Sequence, residues 1–151
     1  MAGQLIKIVG LTFAAIMLFG CTVQQPISKV TAVEITERSP IGVRMLVSVD
    51  IENPNQIALP VTNIQYSVSL QDAGTFNFTE LGDITLSAGG KQSVTLPAAF
   101  ALPEDATLNG KKYTVNGQFF YRPPGELRAL LDQYHLPLPI SPFTASGNVE
   151  Q

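Results

Sequence analysis

Along most of this chain the apolar residues fall at every second position. Val43, Met45, Val47, Val49 and Ile51 make one such face, opposite Arg44, Ser48, Asp50 and Glu52. Ile64, Tyr66, Val68 and Leu70 repeat it against Asn63, Gln65, Ser67, Ser69 and Gln71. Val33 and Ile35 precede them, and Val94, Leu96, Ala98, Phe100 and Leu102 follow, then Tyr113, Val115, Gly117, Phe119 and Tyr121. Two residues is the side-chain period of a strand, and this alternation gives each strand one packed face and one wet face. Such strands belong to antiparallel sheets, which must bury their apolar faces against another layer. Ser39-Pro40, Asn53-Pro54-Asn55, Asp72-Ala73-Gly74, Ala88-Gly89-Gly90 and Asn109-Gly110 mark turns between them. About seven short strands at this spacing, without a long helical pattern, predict an all-β antiparallel β-sandwich.

One segment has another period. After Pro123-Pro124-Gly125, the residues Leu127, Leu130, Leu131 and Tyr134 fall at i, i+3, i+4 and i+7, with Glu126, Arg128 and Asp132 between them. That spacing predicts one short amphipathic helix of about three turns near the C-terminus, started by proline. Its apolar stripe is expected to cap an open end of the sandwich. Leu136-Pro137-Leu138-Pro139 stops it, and residues 140–149 return as a final strand whose prolines confine its start to an edge.

Residues 1–20 follow neither pattern. Lys7 is their only charge, and residues 8–20 (IVGLTFAAIMLFG) are uncharged and mostly apolar. That run is shorter than the roughly 20 helical residues a bilayer core requires. A short apolar run behind a positive charge reads as an export signal. It ends in Leu18-Phe19-Gly20-Cys21, which resembles the bacterial lipobox. The resemblance implies a lipoprotein signal peptide at 1–20, cleaved ahead of a diacylglyceryl-modified Cys21. Phe19 departs from the small or β-branched residue usual at that place. A second acyl chain would make the anchoring stable, since one alone binds membranes marginally. Thr22, in place of the Asp that retains lipoproteins at the inner membrane, implies the periplasmic face of the outer membrane in a Gram-negative envelope. Residues 21–29, polar around Pro26, are expected to form the lipidated N-terminus and tether, and residues 30–151 the folded domain.

Composition narrows the chemistry. Among 151 residues there are one Cys, one His and no Trp, and the net charge is −3. A single Cys rules out an internal disulfide and a Cys-rich metal site. With one imidazole, few His-based active sites can be built, and Lys111-Lys112 is too small a basic patch for nucleic acid. Charged residues are only 14% of the chain and apolar ones 45%, enough to close a core.

The most specific internal stretch is Val47-Ser48-Val49-Asp50-Ile51-Glu52-Asn53-Pro54-Asn55, followed by Leu59-Pro60-Val61. Here the chain resembles the group 2 late embryogenesis abundant (LEA type 2) family and its WHy domain. In that family an alternating strand ends in Asn-Pro-Asn and a Leu-Pro-Val-like start opens the next. Residues 64–70 (IQYSVSL) match its second strand, and residues 81–96, from Leu81-Gly82-Asp83 to Leu96, fit its polar turn followed by an apolar strand. The likeness spans residues 30–121. It implies an immunoglobulin- or fibronectin-III-like sandwich with one helix, and a non-enzymatic role in protection against water stress. Unfolding client proteins, or the membrane itself, are then the expected partners. The alternative is an accessory lipoprotein of the envelope that binds a lipid or a partner, with the Leu-rich helix and residues 136–142 forming a mouth.

Individual residues read as structural. Pro54 fixes φ and the flanking Asn side chains bond backbone, so Asn53, Pro54 and Asn55 are expected to form a turn that sets strand register, with a binding loop as the other reading. Asp50 and Glu52 share a strand face without a third acid or a ligand loop, which reads as a solvated face and not as a metal or acid–base site. Glu104-Asp105 open a loop after Pro103. Ala88-Gly89-Gly90-Lys91 lacks the spacing of a phosphate loop and reads as a hairpin turn. His135 has no nucleophile elbow to serve and follows the helix, where the macrodipole favours it. Phe120 points outward beside Gln118 and Arg122, a candidate contact residue. No catalytic residue, metal or cofactor is expected.

Overall fold

The computed structural model describes residues 22–150. The segment 1–20 read as an export signal, and Cys21 read as the acylated residue, lie outside the described residues. The elements are β1 (Ile27–Ser39), β2 (Gly42–Glu52), β3 (Leu59–Leu70), β4 (Gly74–Leu86), β5 (Lys91–Ala101), β6 (Lys112–Tyr121), α1 (Gly125–Gln133) and β7 (Ile140–Asn148). They form two antiparallel sheets in the orders β1-β2-β5 and β4-β3-β6-β7. The protein is an all-β sandwich of the fibronectin-III-like kind with one short helix before its last strand.

The alternation built this core. Val47, Val49 and Ile51 from β2 face Val68, Val115 and Phe119 across the gap, all fully buried. The Phe119 and Phe143 rings lie tilted with centroids 5.1 Å apart. Gly117 is required beside them: a Cβ there would overlap the Phe143 ring and stand 2.9 Å from the Gln65 carbonyl oxygen. Polar bridges close the two open sides between the sheets. The Ser141 hydroxyl, fully buried on β7, donates to the Pro26 carbonyl at 2.7 Å and lies 2.5 Å from the Ser28 hydroxyl on β1. On the opposite side the Tyr66 hydroxyl donates to the Pro97 carbonyl at 2.5 Å. Burial, with Glu80 nearby as a smaller cause, pushes the Tyr66 phenol up to about 12, so it remains a donor.

Five expectations from the sequence are corrected. The tether expected at residues 21–29 is part of the fold from Val23 onward: Val23 packs against the core, Pro26 is buried, and β1 starts at Ile27. Residues 87–90 do not form a hairpin turn, because β4 and β5 lie in different sheets and the segment arches between them. Asn53-Pro54-Asn55 does turn the chain, but it leads from β2 in one sheet to β3 in the other and so sets no register between paired strands. Leu81-Gly82-Asp83 is not a turn. It lies within β4, where a bulge against β3 shifts the register between Val61 and Asn63.

The fifth correction concerns α1. It caps nothing: none of its residues is buried. Its C-terminus is nonetheless well closed. The Tyr134 amide donates to Leu130 and the Leu136 amide to Leu131, both at 3.0 Å, around His135 at φ 51°. This is a Schellman closure with the imidazole residue in the left-handed position that glycine usually takes.

Candidate functional site

The strand directions put two sets of connections at opposite ends of the sandwich. The proximal end holds residues 22–26, the β2–β3 and β4–β5 connections, and α1; the distal end holds the β1–β2, β3–β4 and β5–β6 connections. Asn53, Pro54, Asn55 and the Ala88-Gly89-Gly90 segment meet at the proximal end.

Asn53 is its hub and is fully buried. Its side-chain amide donates to the carbonyls of Ile57 (2.7 Å), Ser87 (3.0 Å) and Leu86 (3.2 Å). Its Oδ1 accepts from the Asn55 backbone amide at 3.0 Å, an Asx turn around Pro54, and from Asn55 Nδ2 at 2.9 Å. Backbone bonds join the same two connections: Asn53 donates to Gly90 and Gly89 donates to Asn55, each at 2.9 Å. One amide thus fastens the β2–β3 loop to the β4–β5 arch.

Asn55 extends the lock to the start of the chain. Its Oδ1 accepts from the Gln24 backbone amide at 2.7 Å, and its Nδ2 donates to the Gln24 carbonyl at 2.8 Å. Gln25 Nε2 donates to the Ile140 carbonyl at 2.7 Å, next to the Ser141 bridge to Pro26. Gln24, Gln25 and Ser141 carry no sequence signal for these roles, since single polar residues beside prolines fit any loop.

The other candidates scatter. Asp50 pairs with Lys91 at 2.7 Å on the outer face of β2 and β5. The hydrogen bond from Lys91, then one from Ser93, holds its carboxyl below the usual range, as a structural ion pair does. Lys111 is neutralised by Asp72 at 2.8 Å at the distal end. Phe120 is half-buried and lies in register between Asn63 and Ile140 on the outer face of the larger sheet. Among the described residues, no three His, Cys, Asp or Glu side chains cluster as metal ligands would. No helix among them is long and apolar enough to cross a membrane.

Two hollows open away from the proximal end. One, of about 470 Å³, lies toward the distal end, lined by Ile41, Arg44, Phe76, Phe100 and Ala101. The other, of about 590 Å³, is a polar depression on the larger sheet lined by Gln65, Ser67, Asn77, Asn116 and Gln118. Neither gathers a nucleophile, a base and an oxyanion donor.

No protein-family model matches the chain, and no curated protein matches it. Solved structures do. The solution structure of At2g46140.1, a candidate late embryogenesis abundant (LEA) protein, superposes with a TM-score of 0.64 at 15% identity, over 85% of this chain and 72% of that one. The solution structure of AT1g01470 from Arabidopsis thaliana gives 0.57 at 15% identity, over 86% and 84%. The fold is shared with both. A protein from Archaeoglobus fulgidus aligns at a TM-score of 0.43 and 10% identity.

Proposed function

We propose that this chain is a membrane-anchored, non-enzymatic protectant of the cell envelope, acting on proteins or membranes during water loss. The observation that carries the reading is the shared sandwich fold with At2g46140.1, named as a candidate late embryogenesis abundant protein, together with the Asn53-Pro54-Asn55 and Leu59-Pro60-Val61 stretches of that family's pattern. Cys21, in its lipobox setting, would carry the anchor, on the periplasmic face of the outer membrane in a Gram-negative cell. The mechanism is shielding. A stable sandwich with polar outer faces, held at the membrane, separates unfolding neighbours and delays their association, and it needs no bond-making groups. The core is packed by its own side chains, so the interior is not where a client or ligand would sit.

Drying a labile enzyme with the purified chain tests this. The chain is expected to preserve more activity on rehydration than an equal mass of albumin. Recovery no better than albumin at every ratio would exclude protection of proteins as the function.

A further inference from the structure

Seven of the ten large hydrophobic side chains that the described residues expose lie at the proximal end. Ile27, Ile57 and Ile140 stand at strand ends and loops there. Leu127, Leu130, Tyr134 and Leu136, on α1 and the turn after it, are 45%, 48%, 62% and 52% exposed. Arg128 and Asp132 pair at 3.8 Å along the helix, leaving an amphipathic segment whose apolar stripe has no core beneath it. A surface helix ordinarily turns such a stripe inward. Exposed apolar side chains gathered at one end of a domain mark a surface that something covers.

The start of the chain says what covers it. Gln24 is fastened to Asn55, and Gln25 and Pro26 to Ile140 and Ser141, just beyond the α1 turn. Three peptide steps separate Cys21 from Gln24, a reach of roughly 10–11 Å. An acyl group on Cys21 therefore keeps the proximal end, and not the distal one, at the bilayer. The geometry points to a lipid-surface dock: the apolar face of α1, with Leu136 beyond it, lies in the headgroup–acyl boundary while the distal end faces away. This inference rests on the reading of Cys21 as the acylated residue. Helices of this kind sit about 5–10 Å into that boundary, and Tyr134 has the amphipathic ring that membrane interfaces favour. Cleavage ahead of Cys21 removes Lys7 and no acid, taking the net charge from −3 to −4, which gives no attraction to anionic lipid, so the contact is apolar and insensitive to salt.

The chain has no Trp, so one introduced indole reports alone. Leu130→Trp and the distal control Ile41→Trp, both at exposed positions, are made in the full chain. Each is extracted from membranes and reconstituted in phosphatidylethanolamine–phosphatidylglycerol vesicles, with and without brominated acyl chains. The intact mass of each sample is recorded. The expected result is an acylated chain in which Leu130→Trp emits to the blue and is quenched by bromine at low and high salt, while Ile41→Trp does neither. An acylated chain with both indoles at the solvent wavelength, or both quenched alike, overturns the dock alone. A blue shift without bromine quenching that grows with the protein-to-lipid ratio assigns the face to a second copy and also overturns it. A chain lacking the acyl mass overturns the anchor reading, and the dock with it.

Discussion

Asn53→Asp is expected to be among the most damaging single-atom changes in the protein, costing about 4 kcal/mol at neutral pH. The substitution keeps the shape and replaces an NH₂ group by an oxygen. That group now donates to the carbonyls of Ile57, Leu86 and Ser87 in a fully buried setting. A carboxylate donates nothing and adds charge facing three carbonyl oxygens. Burial and these oxygens raise the pKa of the new acid above its unfolded value of about 3.9. A raised acid contributes its stability below the unfolded pKa, in the protonated form, and loses it as pH rises through the folded pKa. The deficit against the parent should therefore be smallest near pH 4, where the protonated acid still donates one hydrogen bond, and grow toward pH 7. Urea titrations at the two pH values read it directly. A deficit that is flat or shrinks with rising pH would show that Asn53 is not the hub of the proximal end.

Phe119→Ala should cost about 3–5 kcal/mol, the range for emptying a large buried aromatic site. Phe119 is fully buried and in ring contact with Phe143. The backbone at Gly117 is already pressed against that second ring, so the cavity has little freedom to collapse. Its chain neighbour Phe120 provides the control, because strand alternation turns it to the half-buried outer face. Phe120→Ala is expected to cost about 1 kcal/mol or less. Equal losses from the two substitutions in thermal unfolding would mean that the assignment of inner and outer faces is wrong.

That assignment was legible because a period of two leaves no choice: shifting a strand by one residue would put Val47, Val49 and Ile51 in water. Sheet membership was not. Ala88-Gly89-Gly90 looks the same whether it closes a hairpin or arches between sheets, and only the pairing of β5 with β2 decides. β4 was hidden as a strand because its pattern breaks. Phe78 is substantially exposed, Leu81 is almost wholly so, and a bulge interrupts the register between them and Ile84. The apolar stripe of α1 reads identically whether or not a core lies beneath it, which is why the sequence suggested a cap. Asn53-Pro54-Asn55 announced a turn. That its first amide reaches a different connection, and its third residue the start of the chain, depends on which loops the topology brings together. Ser141 between Ile140 and Pro142 gave no hint that it closes one side of the sandwich.

The central claim is that protection belongs to this fold held at the envelope. Survival after drying tests it most directly, in a deletion strain carrying either the wild-type chain or Cys21→Ala at matched levels. The deletion should lose viability, the wild-type chain should restore it, and Cys21→Ala should restore less. A deletion strain that survives drying as well as its parent would contradict the account.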